Sequence, residues 1–103
     1  MYKLEYLPIA LNDMLNIAKY IGTELKNPIA AENLSEEFVK TAENLKEFPY
    51  SNPVYIPMKP LKREYRKVKI KNYIMFYWVN ESEKSVTVAR VIYGKREWTN
   101  IIK

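Results

Sequence analysis

Arg63 to Trp98 read REYRKVKIKNYIMFYWVNESEKSVTVARVIYGKREW, and this stretch decides the fold. Tyr65 to Ile70 alternate in polarity, Tyr73 to Val79 are aromatic or apolar on both faces, and Ser85 to Tyr93 are rich in β-branched residues. A strand that is apolar on both sides belongs inside a sheet. The breaks Lys71-Asn72 and Asn80 to Lys84 are of hairpin length, so the three runs predict an antiparallel meander centred on Tyr73 to Val79.

Working outward, Tyr2 to Tyr6 alternate apolar and charged residues, the pattern of a short edge strand. Pro8 suits the first turn of a helix. Leu11, Met14, Leu15, Ala18, Ile21 and Leu25 recur at three- and four-residue steps, which predicts an amphipathic helix over Pro8 to Leu25 with those six buried. Asn27 as N-cap and Pro28 at the first helical position restart the pattern, with Ala30, Leu34, Phe38, Ala42 or Thr41, Leu45 and Phe48 as the buried face. The short connection makes an antiparallel helical hairpin. Pro49, Pro53, Pro57 and Pro60 then punctuate a stiff connector, anchored by Tyr50, Val54, Tyr55, Ile56 and Met58. The expected architecture is α+β: a single domain over residues 1–103, the helical hairpin packed on one face of a twisted antiparallel sheet of about four strands.

Composition limits the chemistry. A chain of 103 residues with 48% hydrophobic and 14% aromatic content builds one core. No apolar run approaches membrane-spanning length and the start lacks a signal peptide's apolar segment, so the expected location is the cytoplasm. The absence of cysteine removes disulfides and thiolate chemistry, and the absence of histidine removes the commonest metal ligand and neutral-pH proton shuttle. No cofactor or metal is expected, and any catalysis rests on Lys, Arg, Tyr or carboxylates. The net charge of +5 is local: Lys59, Lys62, Arg63, Arg66, Lys67, Lys69 and Lys71 face only Glu64 in their segment, whereas the helical region is net acidic. Such a patch attracts a polyanion, nucleic acid or an acidic protein segment, although lysines on an edge strand also serve to block aggregation.

Arg66 and Arg90 alternate onto otherwise apolar strand faces. Two roles are open for them: a guanidinium bonded internally, to carbonyls or to a helix carboxylate such as Glu43 or Glu47, or a partner-binding cation. Tyr93 and Trp98 are either packing aromatics or a stacking platform. Gly94 suits a bulge or turn that aims Lys95 and Arg96.

The order strand, helical hairpin, proline-rich loop and basic meander resembles the RelE/ParE superfamily of toxins from type II toxin-antitoxin systems. The phrases that carry the resemblance are Asp13 to Ile21, Asn27-Pro28 with Ala30-Ala31, Leu45-Lys-Glu-Phe-Pro49, Tyr65 to Tyr77, and Val88 to Trp98. The nearer likeness is to the ParE branch. The resemblance implies a growth inhibitor encoded beside an antitoxin that covers its basic face, and contact with operator DNA only through that antitoxin. RelE-type members cut messenger RNA on the ribosome, whereas ParE-type members inhibit DNA gyrase, so the branch decides whether the chain is an enzyme.

Under the nuclease reading, Lys67 and Lys69 match the lysine pair before the central strand, and Arg96 matches the arginine after the last strand. Ile74 stands where those nucleases place a second arginine, and Ile102 where they place a tyrosine; Tyr93 is the substitute acid nearest by position. An apolar Ile74 cannot neutralise developing phosphate charge, which favours a toxin that acts by binding. The candidate target- or antitoxin-binding residues are Arg66, Lys67, Lys69, Arg90, Tyr93, Lys95, Arg96 and Trp98. A non-toxic nucleic-acid-binding module of the same fold is the third class.

Overall fold

The structure, a computed structural model, describes residues 1–57, 61–95 and 102. Its elements run β1 (Lys3–Tyr6), α1 (Pro8–Lys19), α2 (Pro28–Asn44), β2 (Arg66–Ile70), β3 (Tyr73–Asn80) and β4 (Ser85–Tyr93). They form one four-stranded sheet in the order β1-β4-β3-β2, with the aromatic strand β3 inside it. The meander is antiparallel as its pattern requires, whereas β1 joins the outer edge of β4 in parallel, Lys3 opposite Ser85 and Tyr6 opposite Val88. The sheet is therefore mixed. β1, β2 and β4 thus run in one direction and β3 runs against them.

Pro8 opens α1, and the helix continues through a π-helical turn, Tyr20–Glu24, that the Leu25 N–H closes on the Tyr20 carbonyl at 3.1 Å. Lys26 then takes the left-handed conformation, φ 52°, and Asn27 caps α2, its Oδ1 accepting the Ala30 N–H at 3.1 Å. The predicted buried stripe of α1 is corrected in part by the structure: Met14 and Ile21 pack inward as expected, joined by Ala10 and Ile17, but Leu11, Leu15 and Leu25 are exposed. A helix rich in Leu and Ile all round offers two stripes of similar apolarity. The one that wins also places Asp13 against β4. On α2, Leu34, Phe38, Ala42 and Leu45 are buried as the spacing requires, but Ala31 rather than Ala30 is the buried alanine of the first turn, and Phe48 lies past the helix end and is exposed.

The helix-side core joins these residues to Ile70, Met75, Tyr77, Val86, Val88 and Val91, and the Phe38 ring meets the Tyr73 ring edge-on at 5.7 Å. Each large apolar side chain removed from water here contributes about 1.5–3 kcal/mol. The opposite face of the sheet is not bare. A second cluster of Tyr55, Tyr65, Phe76, Ala89, Ile92 and Ile102 covers it, flanked by Leu7, Leu61, Ile74 and Trp78. The connector is pinned across this end: the buried Tyr77 hydroxyl donates to the Pro49 carbonyl at 2.9 Å and accepts from Asn52 Nδ2 at 3.2 Å. Burial raises the Tyr77 phenol above its ordinary pKa. Of the other expected anchors, Tyr55 is buried and Val54 bridges to Arg66, Ile56 is exposed, and Met58 lies outside the described residues.

A β-bulge at Ala89 shifts the register: Phe76 opposes Arg90, yet Tyr77 opposes Val88. Beyond it, side chains that alternation would send to one face go to the other.

Candidate functional site

Lys67 and Lys69 stand opposite Phe76 and Ile74 of β3, hence on the face turned away from the helices. Lys67 Nζ lies 5.7 Å from the Tyr55 ring centroid, and Lys69 is exposed. Further along the same region the Arg63 guanidinium stacks 3.8 Å from the centroid of Trp78, whose ring meets Tyr65 edge-on at 5.8 Å. The result is cations laid over aromatic rings, a surface suited to anionic partners with planar or apolar groups. Ile74 sits beside Lys69 and packs against the second cluster, and Ile102 is buried within it at 3% exposure. Hydrocarbon thus occupies both positions where phosphoryl chemistry would need a second cation and a hydroxyl.

Tyr93 is not part of that face. It pairs with Tyr73, its ring edge 5.6 Å from the Tyr73 ring, and both face the helices. The parity of β4 beyond the bulge separates it from Lys67 and Lys69, so position along the chain misplaced it as a substitute acid.

The two arginines are held internally. Arg66 Nη1 donates to the Asn52 carbonyl at 2.7 Å and more weakly to that of Tyr50 at 3.5 Å, with the Tyr50 ring 5.0 Å from its Cζ and Glu64 at 3.8 Å. Arg90 forms a bidentate pair with Asp13 of α1, Nε to Oδ2 at 2.8 Å and Nη2 to Oδ1 at 2.9 Å. The helix carboxylate is therefore Asp13 of α1 rather than Glu43 or Glu47. Hydrogen bonding to Asp13 raises the Arg90 pKa against the opposing effect of burial.

The Gly94 N–H closes the strand end on the Asn72 carbonyl at 2.7 Å, and an added Cβ would press on that oxygen at 3.2 Å. Close approach, not a left-handed backbone, explains the glycine. Lys95 follows it, exposed. Arg96 and Trp98 lie outside the described residues. Among the described residues no cluster of His, Cys, Asp or Glu could hold a metal ion, and no helix is long and apolar enough to cross a membrane.

Two further features were not anticipated. A cleft of about 1050 Å³ opens where the π-helical turn meets the β3–β4 end of the sheet, lined by Ile17, Tyr20 and Leu25 on the helices and by Tyr73 and Tyr93 on the strands, with Asn16, Asn33 and Asn72 at its rim. An apolar floor with amide edges accepts an amphipathic segment. The exposed Leu25 is its sequence signal, hidden by its fit to a helical stripe. At the opposite end, Glu81 Oε1 accepts from both Tyr2 OH at 2.7 Å and Tyr50 OH at 2.6 Å, while its Oε2 pairs with Lys84. Lys84, then Tyr50 and Tyr2, bring the Glu81 carboxyl down to about 2, and the Glu81 bond pushes the Tyr50 phenol up to about 12.

A helical hairpin on a four-stranded mixed sheet, with a basic β2 and a connector packed behind it, defines a toxin of the RelE/ParE superfamily. Residues 4–98 match the family described as ParE toxin of type II toxin-antitoxin system, parDE, and the chain belongs to that family. Similar folds occur in the chromosomal ParDE system from P. aeruginosa (TM-score 0.70, 15% identity, 90% of this chain and 96% of that one). They occur also in the RelBE2 complex from Mycobacterium tuberculosis (TM-score 0.61, 18% identity, 89% and 96%). The intact E. coli RelBE complex is a third (TM-score 0.61, 20% identity, 93% and 100%). No curated protein matches the chain significantly.

Proposed function

We propose that this ParE-family toxin inhibits growth by binding DNA gyrase in the cytoplasm rather than by cutting RNA, and that a cognate antitoxin neutralises it. The observation that carries the reading is Ile74. It places a hydrocarbon side chain beside Lys69 on the face that holds the lysine pair, and that side chain adds no charge of its own to stabilise a transferring phosphate. The buried Ile102 and the position of Tyr93 on the other face support it further.

The antitoxin's contact is the basic face, through Lys67, Lys69 and the rings beside them, with operator DNA reached only through the antitoxin. The structural relatives are themselves toxin–antitoxin complexes, which supports such a partner. The docking segment meets a face already packed by the second cluster, so it binds on top of that cluster rather than replacing it.

The experiment is induced expression with and without the neighbouring reading frame, joined to two purified assays: supercoiling by gyrase and cleavage of messenger RNA on ribosomes. The expected result is arrested replication and lost supercoiling with intact messenger RNA. Codon-specific cuts would instead establish the RelE-like reading, the one that the shared face of Lys67 and Lys69 favours. Charge reversal at Lys67 and Lys69 is expected to weaken antitoxin binding at moderate salt; unchanged affinity would move the docking site elsewhere.

A further inference from the structure

The outer face of α1 combines exposed apolar residues with a near absence of charge. From Pro8 to Ala18 the helix has one ionisable side chain, Asp13, and it points inward, its two oxygens taken by Arg90 and by the Val91 N–H. What faces solvent is apolar or amide: Ile9 at 46% exposure, Leu11 at 47% and Leu15 at 69%, with Asn12 and Asn16. The first free charge, Lys19, lies at the far end of the helix. Helix α2 also exposes Ile29 and Val39, but there they are interspersed with exposed Glu32, Glu36, Glu37, Lys40 and Glu43. Loss of charge around exposed large apolar residues marks a surface that another protein covers.

We propose that this face pairs with the same face of a second copy across a two-fold axis, an α1–α1 dimer of the free toxin. The charge distribution selects the occupant. A two-fold axis brings each central side chain near its own copy, so any charge at the centre meets its like. In a chain of net charge +5, the Leu15 face is one where two copies approach without that repulsion. A partner of opposite charge would be drawn instead to the Lys59–Lys71 segment. The polar residues on the face are asparagines, whose amides donate and accept and so can pair with themselves. Leucines at 11 and 15 lie one turn apart, spaced to interlock with their counterparts in an antiparallel helix pair.

Sedimentation equilibrium of the full chain, free of antitoxin, tests this. The expected result is a reversible dimer forming in the micromolar range, as suits a single-helix interface. Leu15→Glu and Leu15→Lys each place like charges at the axis and are expected to weaken self-association by a factor on the order of a hundred. Mixed in equal amounts, the two variants should dimerise again, which neither misfolding nor a remote contact would produce; circular dichroism of each confirms the fold. A wild-type chain that stays monomeric overturns the proposal. So do charge variants that dimerise like wild type, or a mixture that stays monomeric. A chain that is monomeric alone, but whose antitoxin affinity falls in both variants, assigns the face to the antitoxin instead.

Discussion

Asp13 accepts three hydrogen bonds, two from Arg90 and one of 3.0 Å from the Val91 N–H, where β1 has stopped and β4 runs on with no strand along that edge. It neutralises a partly buried cation and covers an open strand edge at once. Asp13→Ala strands both, so we expect a loss of about 2–3 kcal/mol in urea denaturation; a loss below about 0.5 kcal/mol, the level of an ordinary surface change, would show the pair to be ornamental. Glu81 gives a pH prediction. Its folded-state pKa of about 2 lies below the ordinary 4.5, so its contribution is present above that ordinary value and drains away as pH falls toward about 2. Tyr50, raised from 10.0 to about 12, favours the fold below pH 10.0 and loses its contribution as pH rises through about 12. A carboxyl carbon titration of Glu81 with its midpoint near 4.5 would mean that the Tyr2–Tyr50–Lys84 clasp does not form in solution. Neither constellation was legible in the sequence, because Asp13 and Arg90 are 77 positions apart, and Tyr2 and Glu81 are 79 apart.

At the level of elements, the strands were legible almost to the residue. β4 spans Ser85–Tyr93, the run of β-branched residues itself, and β3 adds only Asn80 to the aromatic run. Alternation and turn chemistry are local signals, and so is the α2 cap. Asn27→Ala is expected to cost about 1 kcal/mol and Asn27→Asp almost nothing in thermal melts, since only the side-chain oxygen matters; equal losses for both would point to some other role. What local signals cannot show is which of two apolar stripes meets a sheet, or that one extra residue at Ala89 inverts the parity of everything after it. The face on which Tyr93 lies traces to that bulge. The parallel attachment of β1 was equally hidden, because four residues of alternation specify a strand and its faces but not its direction.

For the molecule as a whole, the sheet is buried between the helical hairpin and a cover of connector residues with Ile102, so the basic lysines ride on a packed surface. This rigidity lets the toxic reading be probed by single substitutions. Ile74→Arg restores a cation beside Lys69, and under the binding mechanism it leaves messenger RNA on ribosomes uncut, because one charge does not assemble a catalytic site. Cleavage by that variant would reveal a latent nuclease. The pairing of Lys3 with Ser85 also sets a clock. During synthesis the first strand leaves the ribosome with its partner still untranslated, and it must wait, unpaired, until β4 has been made. Until then the sheet lacks its first edge strand. A neutralising protein already present in the cell then has the whole of translation in which to arrive.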